Sequence, residues 1–276
     1  MNNYTQLSNL KHLLIDMDGV LWRGAEPKPG LKDFFALLRQ RQIGFMLATN
    51  NASRTSDHYA NILVGFGVQV STDEIITSGQ TTADYLAQRA EPGTPIYVIG
   101  GDGLHRLLAE RGFRLLDANA EPGSAAYAVV SWDRQVTYEK LAQATLHIRA
   151  GAGFIATNPD RTWPSERGLV PGAGAIIAAV QAATDVEPTF IGKPSPVMLQ
   201  LAMRRIGASA ATTAMLGDRL ETDILGGQNA GLTTILVLSG VASSDDLATS
   251  PIQPDLVFDD IAALTRAWRA KDEKDE

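Results

Sequence analysis

The chain has 276 residues, of which 45% are hydrophobic and 20% charged, and its formal net charge is −7. That size suits one large domain or two modest ones, and the acidic balance argues against a protein that gains affinity by neutralising nucleic-acid phosphates. With no cysteine, a disulfide framework, a thiolate zinc site and a cysteine nucleophile are excluded.

The first residues, "MNNYTQLSNLKH", lack a basic segment followed by an apolar core, so no secretory signal is expected. No apolar run approaches the ~20 residues of a membrane span, and a cytoplasmic protein without a membrane partner is expected. The first strand, "HLLIDMD" (12–18), delivers Asp16 and Asp18 into a turn at Gly19. A helix over "GLKDFFALLRQRQ" (30–42) leads to "GFMLATNN" (44–51), a strand that ends in Thr49, Asn50 and Asn51. Helical stretches "SRTSDHYANILVGFG" (53–67) and "QTTADYLAQRA" (80–90) follow. Next come the strands "PIYVIGG" (95–101), "AAYAVVSW" (125–132) and "GFIATN" (153–158). After "TFIGKP" (189–194) and the helix "PVMLQLAMRRIG" (196–207) come the strand "TTAMLGD" (212–218), the helix "TDILGGQNAG" (222–231) and the strand "TTILVLSG" (233–240). Runs that are apolar on successive residues suggest strands buried on both faces, and the intervening helices suggest right-handed βαβ units. The fold class is therefore α/β with parallel sheets. The closing "AKDEKDE" (270–276) reads as a solvated, frayed end.

Two glycine- and proline-containing junctions, "RAEPGTP" (89–95) and "ATDVEP" (183–188), divide the chain into 1–88, 89–187 and 188–276. The middle part has its own strands and helices and reads as a domain inserted into another, with the chemistry on both sides of it.

In an open parallel sheet the strand C-termini share one edge, so polar strand ends with distant numbers converge. Here they supply Asp16 and Asp18, then Thr49, Asn50 and Asn51, then Lys193, and finally Asp218, Arg219, Glu221 and Asp223. Several carboxylates at one edge repel unless a hard cation sits among them, and oxygen-only ligation selects Mg2+ over zinc or copper. Magnesium is commonly completed by a substrate phosphate, which Lys193, the Thr49 hydroxyl and the N–H groups after it are suited to hold. No histidine pattern supports a serine nucleophile, so the attacking group is expected to be a carboxylate that forms an aspartyl-phosphate.

Those residues resemble the haloacid dehalogenase superfamily, whose four motifs match "DMDGVL" (16–21), "ATNN" (48–51), "GKP" (192–194) and "GDRLETD" (217–223). The wording "DGVLWRG", "FIATNPD", "GLVPGAGAI" and "IGKPSP" is further similar to the NagD-type, or p-nitrophenyl phosphatase-like, branch. The resemblance implies a doubly wound, Rossmann-like core with a large α/β cap inserted between the second and third motifs. It implies Asp16 as nucleophile and metal ligand. Asp18 would be the acid that protonates the leaving oxygen and the base that activates water, with its main-chain carbonyl on the metal. Thr49 and the backbone at Asn50 would bind the phosphoryl oxygens, Lys193 would balance charge, Asp218 would ligate magnesium, and Asp223 would hold metal-bound waters. The aspartate at 18 favours phosphoryl chemistry over dehalogenation. Substrates would be small phosphorylated metabolites: sugar phosphates, nucleoside monophosphates, phosphoglycolate or pyridoxal phosphate. A homodimer is compatible with the family.

A polar stretch inside the insert, "TNPDRTWPSERG" (157–168), is read as a loop that could contact the leaving group through Asn158, Asp160, Arg161 and Trp163, or equally as a surface turn or hinge. "GGDG" (100–103) and "PGAGA" (171–175) do not complete a dinucleotide fingerprint and read as turns. His12, His58, His105 and His147 lack ligand spacing. Two alternatives stay open from the sequence: a phosphotransferase or mutase using the same intermediate, and a signalling module resembling receiver domains, in which phospho-aspartate is long-lived.

Overall fold

A computed structural model describes residues 3–165 and 168–275. The chain forms two compact units: 1–49, 56–76 and 193–276 make the first, and 50–55 with 77–192 the second.

The first unit is built on a six-stranded sheet in the order Leu256–Phe258, Thr233–Val237, Thr213–Gly217, His12–Ile15, Gly44–Thr49, Ile75–Thr77. The pairings Leu13 with Ala214 and with Phe45, and Ile15 with Leu216 and with Leu47, are parallel. The apolar runs are buried on both sides, as their sequence requires. Leu13 and Ile15 pack with Phe34, Phe35, Leu38 and Trp268 on one face, while Leu14 packs with Met46, Met198 and Met215 on the other. Helix Leu31–Gln40 supplies the first face through Leu31, Phe34, Phe35, Leu37 and Leu38, a spacing that lays one apolar stripe on the sheet. From the central strand the chain first adds strands on one side, then returns to add the others on the opposite side. The switch point therefore lies between His12–Ile15 and Thr213–Gly217, where the C-terminal edge opens a crevice.

The expected frayed end is corrected. The last helix runs from Ile261 to Asp275, because Ile261, Leu264 and Trp268 are fully buried and nucleate turns that propagate. Trp268 Nε1 also donates to the Leu7 carbonyl at 3.1 Å.

The second unit carries a five-stranded parallel sheet in the order Thr189–Phe190, Gly153–Ala156, Tyr127–Val130, Pro95–Ile99, Arg114–Leu115. Its own core contains Ile99, Ala128, Val130, Phe154, Ile177 and Val180. This unit extends past the expected 89–187. It takes in helix Ser78–Ala87, whose Asp84 pairs with Arg111 at 2.6 Å, and whose Gly79 packs closely against Ala52 and Leu107. Within 157–168, expected as a loop, Thr162–Ser165 is a strand that pairs antiparallel with Gly168–Pro171, and Trp163 packs on Trp132 with ring centroids 5.8 Å apart. Glu166 and Arg167 lie outside the described residues. No helix among the described residues is long and apolar enough to cross a membrane.

Candidate active site

The register of the first sheet brings the strand ends at Asp16 and Asp218 together. The Asp16 N–H donates to the Leu216 carbonyl at 2.8 Å, so the strands His12–Ile15 and Thr213–Gly217 end side by side, and Asp16 and Asp218 leave them at the switch point. A π-helical turn, Leu220–Ile224, then brings Asp223 back beneath the strand end. Its Oδ2 accepts from the Asp218 and Arg219 N–H groups at 3.2 and 3.1 Å. Oxygens of Asp16, Asp218 and Asp223 lie within 4.8 Å of one another.

Lys193 sits inside this cluster with 1% of its side chain exposed. Its Nζ donates to Asp16 Oδ1 at 2.6 Å and to the Ala48 carbonyl at 2.9 Å, and it forms an ion pair with Asp223 Oδ1 at 2.7 Å. A buried ammonium without these partners would be costly. Burial works against the charge, but Asp16 and Asp223 outweigh it and hold the Lys193 pKa above the ordinary lysine range.

The carboxylates carry the opposite strain. Burial pushes Asp16 well up; Lys193 opposes this, and Asp223 and Asp218 add to it. Asp218, fully buried, is raised to about 7 by desolvation and then by Asp223, against Arg219, the Val241 N–H and Lys193. Three carboxylates around one ammonium leave surplus negative charge, which burial makes costly. Asp218 Oδ2 accepts from the Val241 N–H at 2.8 Å, while Oδ1 is buried without a hydrogen-bond partner. Side chains at Gly19 and Gly240 would collide with this carboxylate, and one at Gly217 would strike Asp223, which explains three glycines around two acids. Gly19 also has φ +92°, a conformation strained for other residues. An orphaned buried oxygen among all-oxygen donors fits a hard divalent cation.

Asp18 stands at the exposed rim of this edge. Partial desolvation raises its pKa, opposed by a hydrogen bond from Trp22 and then by Arg219, Lys193 and His58. Trp22, together with the Ala48 carbonyl and the Val241 N–H, is a contributor the motif reading did not single out. Its one sequence signal is its place four residues after Asp18, across the Gly19 turn. Glu221 is exposed.

Thr49 is buried at the end of its strand. Asn50 and Asn51 follow it in the second unit. The Asn51 Oδ1 accepts from the Ser53 N–H at 2.8 Å and the Ser53 hydroxyl at 2.7 Å, closing a turn. Asn158 and Asp160 join Asn50. Asn158 Nδ2 donates to the Asn50 carbonyl at 2.7 Å and to Thr157 Oγ1 at 3.3 Å, its Oδ1 accepts from the Asp160 N–H at 3.1 Å, and Asn50 Nδ2 donates to Asp160 Oδ1 at 3.2 Å. The Asn158 side chain is thus committed to protein partners.

Residues 13–114 match a family described as haloacid dehalogenase-like hydrolase, and residues 190–264 a second, HAD-hydrolase-like, family. An acid sugar phosphatase of Staphylococcus aureus is 40% identical over 255 residues, covering 92% of this chain and 96% of that protein. A 4-nitrophenylphosphatase from Thermotoga maritima superposes with a TM-score of 0.88 at 34% identity, over 95% of this chain and 99% of its own. NagD from E. coli K-12 superposes with a TM-score of 0.83 at 35% identity, over 92% and 97% of the two chains.

Proposed function

Because the chain belongs to the haloacid dehalogenase-like hydrolases of NagD type and is a phosphatase, we propose that it hydrolyses small phosphomonoesters with magnesium as cofactor and phospho-Asp16 as intermediate. The observation that carries this reading is the trio of half-buried Asp16 and buried Asp218 and Asp223, gathered beside Lys193, with an Asp218 oxygen that has no hydrogen-bond partner. The acid sugar phosphatase likeness favours sugar phosphates within that class, and the expected compartment is the cytoplasm.

Asp16, Asp218 and the Asp18 carbonyl would hold the cation, with Asp223 behind them. When bound, the cation supplies positive charge that relieves the carboxylate repulsion and offsets the charge of the phosphoryl group. Lys193 holds one Asp16 oxygen, which orients the carboxylate for attack on phosphorus. As the ester bond breaks, Asp18 gives its proton to the departing alkoxide oxygen. It then removes a proton from the water that attacks phospho-Asp16, which returns the Asp16 carboxylate and releases phosphate. Thr49 and the Asn50 backbone bind phosphoryl oxygens, and the Lys193 charge opposes the negative charge that accumulates there. Asn51 shapes the loop through its turn, and Asn158 and Asp160 serve the site by fixing Asn50. The second unit is the proposed cap, the source of leaving-group preference.

The test is phosphate release from a broad panel of phosphomonoesters, with magnesium and with excess chelator, alongside trapping of 32P on Asp16. Magnesium-dependent release with label on Asp16 is expected. Release that survives chelation removes the cofactor, and label elsewhere removes the nucleophile. Product appearing on an added alcohol in place of free phosphate would turn the reading to phosphotransfer.

A further inference from the structure

Trp22 does more than fill the core. Its side chain is 2% exposed, stacked on Tyr59 with ring centroids 6.3 Å apart at 24°, and in contact with Phe66 at 6.2 Å. Its indole Nε1–H donates to Asp18 Oδ1 at 2.8 Å. The turn over residues 17–22 is closed by backbone bonds: the Gly19 N–H donates to the Trp22 carbonyl and the Leu21 N–H to the Met17 carbonyl, both at 2.8 Å. Asp18 is thus an exposed side chain on a tight turn, while its hydrogen-bond partner is a rigid buried ring. An exposed aspartate samples several rotamers, and a general acid works only when its proton points at the leaving oxygen.

We propose that Trp22 is the positioning residue for the acid–base carboxyl. Its N–H pins one Asp18 oxygen and leaves the other to face the leaving group and, later, the attacking water. The aromatic stack is what makes the pin rigid: Tyr59 and Phe66 fix the indole plane, and the backbone turn fixes its distance from Asp18. A donor from a long, flexible side chain would move with Asp18; a buried indole packed against two rings is held in place. The inference rests on the acid–base role proposed for Asp18 and adds what gives that role its direction.

The experiment compares kcat/KM, which reports the steps through leaving-group departure, for an alkyl phosphate and for p-nitrophenyl phosphate. Trp22→Phe keeps a stacked ring and removes the N–H. It is expected to lower kcat/KM for the alkyl ester by about tenfold and for p-nitrophenyl phosphate, which leaves without a proton, by less than about threefold. Trp22→His places a ring N–H near the same spot and is expected to recover part of the alkyl-ester loss. Equal losses on both substrates, or no loss on either, would overturn the proposal. If Trp22→Phe does not fold, the wild-type indole proton resonance of Trp22 decides: it shifts on Asp18→Ala if the bond exists in solution, and an unmoved resonance overturns it. Asp18→Asn is run in parallel. If that change shows no leaving-group dependence, the acid–base reading itself fails, whereas a leaving-group effect there with none at Trp22 removes only the positioning role.

Discussion

Both compact units end buried parallel strands in polar residues, but the two edges treat those residues in opposite ways. At the second unit's edge, Thr157 Oγ1 donates to Ser131 Oγ at 2.8 Å, Asn158 is committed on both ends, and Asp133 has one oxygen on the Gln135 N–H and the other on Lys140, each at 2.7 Å. At the first unit's edge, Asp16 and Asp223 share one lysine, Asp16 and Asp218 are pushed upward, and an Asp218 oxygen has no partner. Polar residues at strand ends therefore do not by themselves make a site. A closed hydrogen-bond network stabilises a fold, while unbalanced buried charge is tolerated where a ligand completes it.

The strongest way to break this contrast is to remove charge from the first edge. Asp16→Asn is expected to lower phosphate release by about 10⁴-fold or more, the scale seen when a covalent nucleophile is lost. Its melting temperature should stay close to wild type, because Lys193 keeps Asp223 and the Ala48 carbonyl. A collapse of the fold would mean that the cluster is structural. Next in size is Asp218→Asn, expected to reduce turnover by about a hundredfold or more by weakening cation binding. The rise in melting temperature that magnesium gives the wild type over chelator should shrink to nearly nothing. An undiminished rise would place the cation elsewhere.

The pH dependence sharpens the same point. Folding raises the Asp218 carboxyl from 3.8 to about 7, so the folded state binds the proton more tightly than the unfolded chain. Without cation, stability is therefore greatest below the unfolded value and declines as pH climbs from about 4 to about 7, levelling above that. Melting curves in chelator from pH 4 to 8 should show this decline over and above any general acid effect, and Asp218→Asn should lessen it, leaving the part that the raised Asp16 carboxyl contributes. Magnesium should add more stability at pH 8 than at pH 5, because it takes the place of the proton. Equal magnesium stabilisation at both values would contradict the frustrated-edge account.

Much of this edge was legible in the sequence, because its logic is local. Asp16 and Asp18 follow an apolar run, Asp218 follows another, and a parallel sheet aligns the ends of both. The long strands 44–49, 127–130 and 233–237 were equally plain, since each is an unbroken apolar run. The short strands Ile75–Thr77, Arg114–Leu115 and Leu256–Phe258 were not, because two or three residues carry no period and are held by neighbours distant in sequence. The extent of the second unit was obscured in the same way: Ser78–Ala87 precedes the proline–glycine junction and joins the unit by packing. Trp22 was hidden by its type, as a tryptophan beside an apolar run reads as core, and only the geometry shows that its N–H faces Asp18.

The smallest effect comes from the second edge, and Asn158→Ala is the change that isolates it. It removes the donor to the Asn50 carbonyl, which keeps Ser78 Oγ, and leaves the Asp160 N–H without its acceptor. Asp160 is half-buried, so the unsatisfied N–H costs toward the low end of about 1–3 kcal/mol, to be read from denaturant unfolding. If Asn158 acts only by holding Asn50, and Asn50 meets the phosphoryl group shared by all substrates, kcat/KM falls by one common factor of a few-fold across the panel. A change in the rank order of leaving groups would instead put the Asn158 side chain against the leaving group. The second edge would then be a recognition surface whose bonds are exchanged on binding, and its closed network would describe only the resting protein.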